Sequence, residues 1–142
     1  GVLMPVSSLP SPYGIGTLGK GAYDFVDWLT SAGIKIWQVL PLLPTGYGDS
    51  PYQSPASVAG NPYFIDLDML CDFGLLTKSE IDLPDNDFVD YKAQYDHRFK
   101  ILQKAFAQIM GLIVPKAFYK DFWLLNIFQS VSTLQKSQQM SI

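Results

Sequence analysis

Twelve of the thirteen acidic residues are aspartates, and the single glutamate, Glu80, ends the run Thr77-Lys78-Ser79-Glu80. That run has the form of a capping box, so Glu80 is assigned to a helix start rather than to acid or base chemistry. Asp66-Leu67-Asp68 puts two carboxylates on one side of an extended chain, where a cation could be imagined. No third ligand is within reach by sequence, and a cap on a Met69 to Phe73 turn is the better reading. His97 lies among Asp96, Arg98 and Lys100 with no triad companion, and no serine stands in GxSxG. Gly14 to Gly19, GIGTLG, lacks the GK[ST] ending of a phosphate loop, and the tight-turn reading is the better one. Cys71 is the one cysteine, which excludes an internal disulfide and any cysteine-based zinc site. Beside Leu70 and Phe73 it reads as a small buried hydrophobe. No catalytic constellation emerges.

What remains is aromatic and polar surface on loops: Tyr13, Tyr47, Asp49, Ser50, Tyr52, Gln53, Asn61 and Tyr63. The densest part is TGYGDSPYQS, Thr45 to Ser54. Tyrosine rings can stack on the C–H faces of a pyranose while hydroxyls and carboxylates bond its hydroxyl groups, so the composition suits sugar recognition. Simple packing of the loop explains the same rings equally well, and the residues alone leave the two readings level.

The elements that would hold this loop follow from periodicity. Val2 to Ser7 reads as a short buried strand, and Ser8 to Gly19, rich in proline and glycine, as loop. Ala22, Phe25, Val26 and Leu29 recur at helical spacing, with Gly33 as the stop. Ile34 to Leu42 is almost wholly apolar, as a strand buried on both faces would be. Strand, helix and strand in this order make a βα-unit of a parallel sheet, with TGYGDSPYQS at the carboxyl end of its second strand. Ligands of open sheets and α/β barrels bind at that end. Farther on, Tyr63 to Leu67 reads as extended. Tyr95, Phe99, Leu102, Phe106 and Ile109 mark the apolar stripe of one long helix from Tyr91 to about Met110. A second, aromatic-rich helix is expected over Lys116 to Phe128, followed by a polar tail. Two front strands cannot stand alone as a sheet, so the inventory predicts part of a larger fold.

The net charge of -3 and 48% hydrophobic content are those of a single globular domain. A mildly acidic chain has no basic footprint for nucleic acid or anionic membrane. The only basic concentration, His97 to Lys104, reads as a solvated helix face. No apolar run approaches the roughly 20 residues of a bilayer span, and Gly1 to Pro10 lacks the basic region of a signal peptide. A reduced, cytoplasmic setting is expected.

Three segments carry a resemblance that is long and specific: PVSSLPSPYGIGTLG, IWQVLPLLPTGYGDSPYQS and AGNPYFIDLDML. They resemble the amino-terminal part of 4-alpha-glucanotransferases, the amylomaltases or disproportionating enzymes of glycoside hydrolase family 77. The likeness is dense from Gly1 to about Leu76 and weaker through Val89 to Tyr91 and Asp121 to Leu125. It implies an α/β fold in which this chain forms the first two strands of a (β/α)8 TIM barrel with a mostly helical inserted subdomain. Residues 1–76 would be the amino-terminal barrel portion with the substrate-cleft loop, 77–130 the inserted subdomain and 131–142 a frayed or disordered tail. It further implies a retaining transfer of α-1,4-glucan segments between maltooligosaccharides, with no metal and no other cofactor. The family's catalytic carboxylates lie on later strands, so no residue here is assigned as catalytic and the chain alone is expected to be inactive. By similarity, Tyr52 lines the substrate cleft with Asp49 and Ser50 beside it. Tyr47 matches an aromatic of a second, surface glucan site, and Tyr95 aligns with its partner there, although its place in the apolar stripe predicts burial. A non-catalytic glucan-binding piece and a truncated product without function are the alternatives.

Overall fold

The computed structural model describes residues 1–46, 48–56 and 58–111. The helix expected over Lys116 to Phe128 and the polar tail lie outside the described residues.

The chain opens with strand β1, Val2–Leu3, followed by a 3-10 turn at Val6–Ser8, helix α1 at Lys20–Ser31 and strand β2 at Trp37–Gln38. β1 and β2 pair in parallel, Val2 opposite Trp37 and Leu3 opposite Gln38, so the expected strand-helix-strand unit is present. The strands are much shorter than the apolar runs suggested. Pro5, at φ -61°, brings no N–H to the ladder, and the chain turns into the Val6–Ser8 helix. β2 is not buried on both faces either. Ile36 is 65% exposed, and Trp37 and Val39 are the half-buried positions. One face of the sheet is covered: Phe25 of α1 meets Trp37 edge-on at 5.2 Å, and the Trp37 Nε1–H donates to the Met4 carbonyl at 2.9 Å.

α1 ends where the sequence placed its stop. Gly33 takes φ 69°, its N–H donates to the Thr30 carbonyl, and the Ile34 N–H returns to the Leu29 carbonyl at 2.9 Å. This is a Schellman closure, which needs a left-handed residue. Ala22 and Leu29 face inward as expected, whereas Val26 is exposed.

Tyr63 to Leu67 is extended only at Ile65 and Asp66. Asn61 accepts the Tyr63 N–H at 3.0 Å, and Pro62 supplies a preset φ, so Pro62–Phe64 coils into a 3-10 turn. Asp66 then caps helix α2, Leu67–Asp72, by accepting the Met69 N–H at 2.9 Å, the role assigned to it from sequence. Its other oxygen accepts the buried Thr17 hydroxyl at 2.5 Å. Glu80 likewise caps: its carboxylate accepts the Thr77 N–H at 2.8 Å, starting a 3-10 turn at Lys78–Glu80 rather than a longer helix.

The long helix is present in three parts: α3 at Tyr91–Ala93, a π-helical turn at Gln94–Arg98 and α4 at Phe99–Gly111. Its inward face differs from the predicted stripe. Gln94, Arg98, Ile101, Leu102, Ala105 and Ile109 are buried, while Tyr95 is 56% exposed. The extra residue per turn in a π segment rotates the side chains before it relative to those after it, which a regular 3.6-residue count does not anticipate. Arg98, expected on a solvated face, is 0% exposed. His97 is exposed, as expected.

Among the described residues the interior has two parts. One cluster joins Ile65, Leu67, Leu70, Leu75 and Leu76 to Ile101, Leu102, Ala105 and Ile109, with Cys71 half-buried at its border. A smaller one joins Val6, Leu9 and Ala22, with Trp37, Val39 and Phe64 against it.

Candidate functional site

The loop from Thr45 to Ser54 follows the carboxyl end of β2. It is folded on itself by backbone bonds from Gly46 N–H to Gln53 O (2.9 Å), Asp49 N–H to Gly46 O and Gln53 N–H to Ser50 O (both 3.1 Å). Two successive tight turns result. Gly48 takes φ 84° and Asp49 φ 53°, a left-handed conformation that non-glycine residues adopt at a cost. The Thr45 hydroxyl donates to Asp49 Oδ1 at 3.3 Å. Tyr52, next to Gln53, is 74% exposed, while Asp49 and Ser50 are half-buried. Three of the five residues assigned to binding from sequence are thus brought together. Tyr47 lies outside the described residues.

Asp49 borders a narrow cavity of about 90 Å³, walled also by Ser7, Leu40, Asn61, Tyr63 and Tyr91. The cavity sits beyond the carboxyl ends of both parallel strands, since Ser7 follows β1 and Leu40 follows β2. Asn61 and Tyr63, read from sequence as loop surface, are buried and form its wall. Burial, followed by the field of the Asp49 carboxylate, raises the Tyr63 hydroxyl well above its ordinary pKa, and it stays a neutral donor.

Tyr63 is also the first ring of an aromatic series. It packs on Tyr91 (6.0 Å between centroids) and on Phe99 (5.6 Å), and Phe99 meets Tyr95 edge-on at 5.3 Å. The exposed Tyr95 is therefore braced through Phe99 against the cavity wall. Its predicted burial does not hold, because Phe99 takes the inward place beside it.

Arg98 ties this wall to the helix. Its Nη2 donates to the Ile65 carbonyl at 2.6 Å and its Nη1 to Gln94 Oε1 at 3.1 Å, while Gln94 Nε2 donates to the Tyr13 carbonyl at 2.7 Å. Burial, opposed by the Asp66, Tyr13 and Tyr63 side chains, pushes the guanidinium down to about 10, so it is a cation at neutral pH. Its spacing from Gln94, Leu102, Ala105 and Ile109 is helical, and that register was the available sequence signal. The charge argued against it.

On another face, Tyr13, Lys78 and Asp68 form an exposed cluster in which both Tyr13 and Lys78 donate to Asp68 Oδ1. It borders an open groove of about 900 Å³ whose walls include Lys20, Asp85 and Phe88. Among the described residues no group of three or more His, Cys, Asp or Glu side chains could hold a metal ion. No described helix is long and apolar enough to cross a membrane.

The family profile of 4-alpha-glucanotransferase, glycoside hydrolase family 77, matches residues 4–123. The chain belongs to this family. It is 50% identical over 107 residues to the 4-alpha-glucanotransferase of Clostridium butyricum, covering 72% of this chain and 22% of that protein. With the 4-alpha-glucanotransferase of Streptococcus pneumoniae it shares 49% identity over 126 residues, 84% of this chain and 25% of that one. Among solved structures, amylomaltase from Streptococcus agalactiae in complex with acarbose superposes with a TM-score of 0.78 at 40% identity, covering 86% of this chain and 26% of the other. The chain thus spans about a quarter of the length of these 4-alpha-glucanotransferases.

Proposed function

We propose that this chain supplies one wall of the glucan cleft of a 4-alpha-glucanotransferase. In this reading residues 1–76 carry the first two strands of the (β/α)8 barrel with the cleft loop, and 77–130 form a helical inserted subdomain. The parent enzyme would transfer α-1,4-glucan segments between maltooligosaccharides with retention, through carboxylates outside this chain. The Tyr52 ring offers an apolar face to a pyranose, and Asp49 and Ser50 offer acceptors and a donor to its hydroxyls. Tyr95, with Tyr47, is the corresponding candidate for a second, surface glucan site. The observation that carries the reading is the placement of the exposed Tyr52 and the Asp49-walled cavity together beyond the carboxyl ends of two parallel strands.

Calorimetric titration with maltoheptaose tests it. Saturable binding is expected, and loss of the ring in Tyr52→Ala should remove ~1.5 kcal/mol, about tenfold in Kd. Equal affinity in the two proteins would remove Tyr52 from the site. Incubated with maltotriose, the pure chain should give no longer maltooligosaccharides, and their appearance would contradict the assignment of chemistry to residues elsewhere.

A further inference from the structure

Arg98 is costly where it stands. It is wholly buried, and its Nε–H has no hydrogen-bond partner among the described residues. Neighbouring inward positions on α4 are apolar: Ile101, Leu102, Ala105 and Ile109. A buried cation carries a desolvation penalty of several kcal/mol, and buried ionic groups replaced together by apolar side chains of similar size are often neutral or stabilising. Stability of the core therefore does not account for a guanidinium at this position.

Its bonds do. Through Ile65 O it grips the end of the turn that presents Tyr63, because the Ile65 N–H itself closes that turn on the Pro62 carbonyl (3.3 Å). Through Gln94 it reaches Tyr13 O, in the loop that leaves β1. Phe99, the next residue along the helix, packs on the Tyr63 ring. The turn also reaches the segment that leads into the 45–54 loop, Asn61 N–H donating to Leu42 O at 2.8 Å, and shares a cavity wall with Asp49 of that loop. Gln94 and Arg98 are the first and last residues of the π-helical turn, a feature that gathers at functional sites.

We propose that Arg98 is a positioning residue that fixes the Tyr63 wall, and through it the 45–54 loop, against the helix at 91–111. The proposal rests on the glucan-cleft reading for the ligand, but not for the placement itself. Tyr63 is the group through which Arg98 acts; Arg98 is not expected to touch sugar.

Amide hydrogen exchange on the full chain tests it, comparing wild type with Arg98→Met and Arg98→Lys. In Arg98→Met the hydrogen-bonded amides of Gly46, Gln53, Asn61, Phe64 and Ile65 should exchange about tenfold faster or more, while those of α2 and α4 keep their rates. Arg98→Lys, which keeps a cation and one donor, should show the same selective pattern at a smaller amplitude. A uniform loss of protection in both variants would make Arg98 merely structural, and unchanged rates in both would leave it without a role; either overturns the proposal. Should Arg98→Met fail to fold, Arg98→Lys decides in the same way, and failure of both to fold also overturns it. Addition of maltoheptaose to wild type separates the two readings. Slower exchange at 45–54 is expected, and its absence alongside selective loss in the variants would sink the glucan reading while Arg98 kept its assignment.

Discussion

Asp66→Ala removes a carboxylate that serves two elements at once. Oδ1 accepts the Met69 N–H at the start of α2 (2.9 Å), and losing such a cap costs ~1 kcal/mol. Oδ2 accepts the hydroxyl of Thr17, which is itself buried and would be left unpaired, at ~1–3 kcal/mol. The same carboxylate is the foremost support of the buried Arg98 cation, so the total should be ~3 kcal/mol or more, a large part of a typical domain's ~5–15. Urea denaturation followed by circular dichroism at neutral pH measures it. Asp66→Asn, which retains an oxygen for Met69, should lose about half as much. Gly19 provides a cross-check, because a Cβ there would lie 1.9 Å from Asp66 Oδ2 and would push the carboxylate off Thr17. Gly19→Ala should therefore cost less in the Asp66→Ala background than alone, with a coupling of ~1 kcal/mol. A loss under ~1 kcal/mol for Asp66→Ala, or strict additivity with Gly19→Ala, would refute the two-element account.

Three further outcomes are expected. Leu67→Ala, at a wholly buried position of the larger cluster, should destabilise by ~2–5 kcal/mol in the same urea experiment. Asp49→Gly removes the left-handed strain at φ 53° and should leave stability equal or higher by ~0.5 kcal/mol, while calorimetry with maltoheptaose shows weaker binding. Alkaline titration should find Tyr63 and Tyr13 ionising late, since burial raises both above the usual phenol value. A raised folded pKa gives stability that is complete below about pH 10 and is lost as pH rises through the folded values. Phenolate absorbance followed alongside unfolding checks the coincidence, and early ionisation of all tyrosines in the folded chain would contradict it.

Local chemistry was the legible part. The caps at Asp66 and Glu80 and the stop at Gly33 depend on residues within a few positions of one another, so the sequence pattern contains their cause. The lengths of β1 and β2 do not. An apolar run records which residues can be buried, whereas pairing depends on neighbouring strands, and among the described residues β1 and β2 have only each other. The site was half legible. Tyr52, Asp49 and Ser50 share one loop and arrive together, but Tyr63 was read as surface because its burial is created by Tyr91 and Phe99, far along the chain. Arg98 was misread for a similar reason: its charge pointed to solvent, while the π turn and the Ile65 carbonyl turn it inward.

The uneven division of the interior sets an order of opening. Among the described residues the larger cluster draws buried members from both 65–76 and 101–109, whereas the smaller one rests on Val6, Leu9 and Ala22. The parallel pairing beside the smaller cluster is two residues long on each strand. Regions with few buried apolar contacts open at the lowest free energy. The helical half should therefore persist when the sheet opens, a separate foldon that outlasts the strands at its amino-terminal side. The loop at 45–54 lies between the two, held on one side by an easily opened sheet and on the other by a stable helical base.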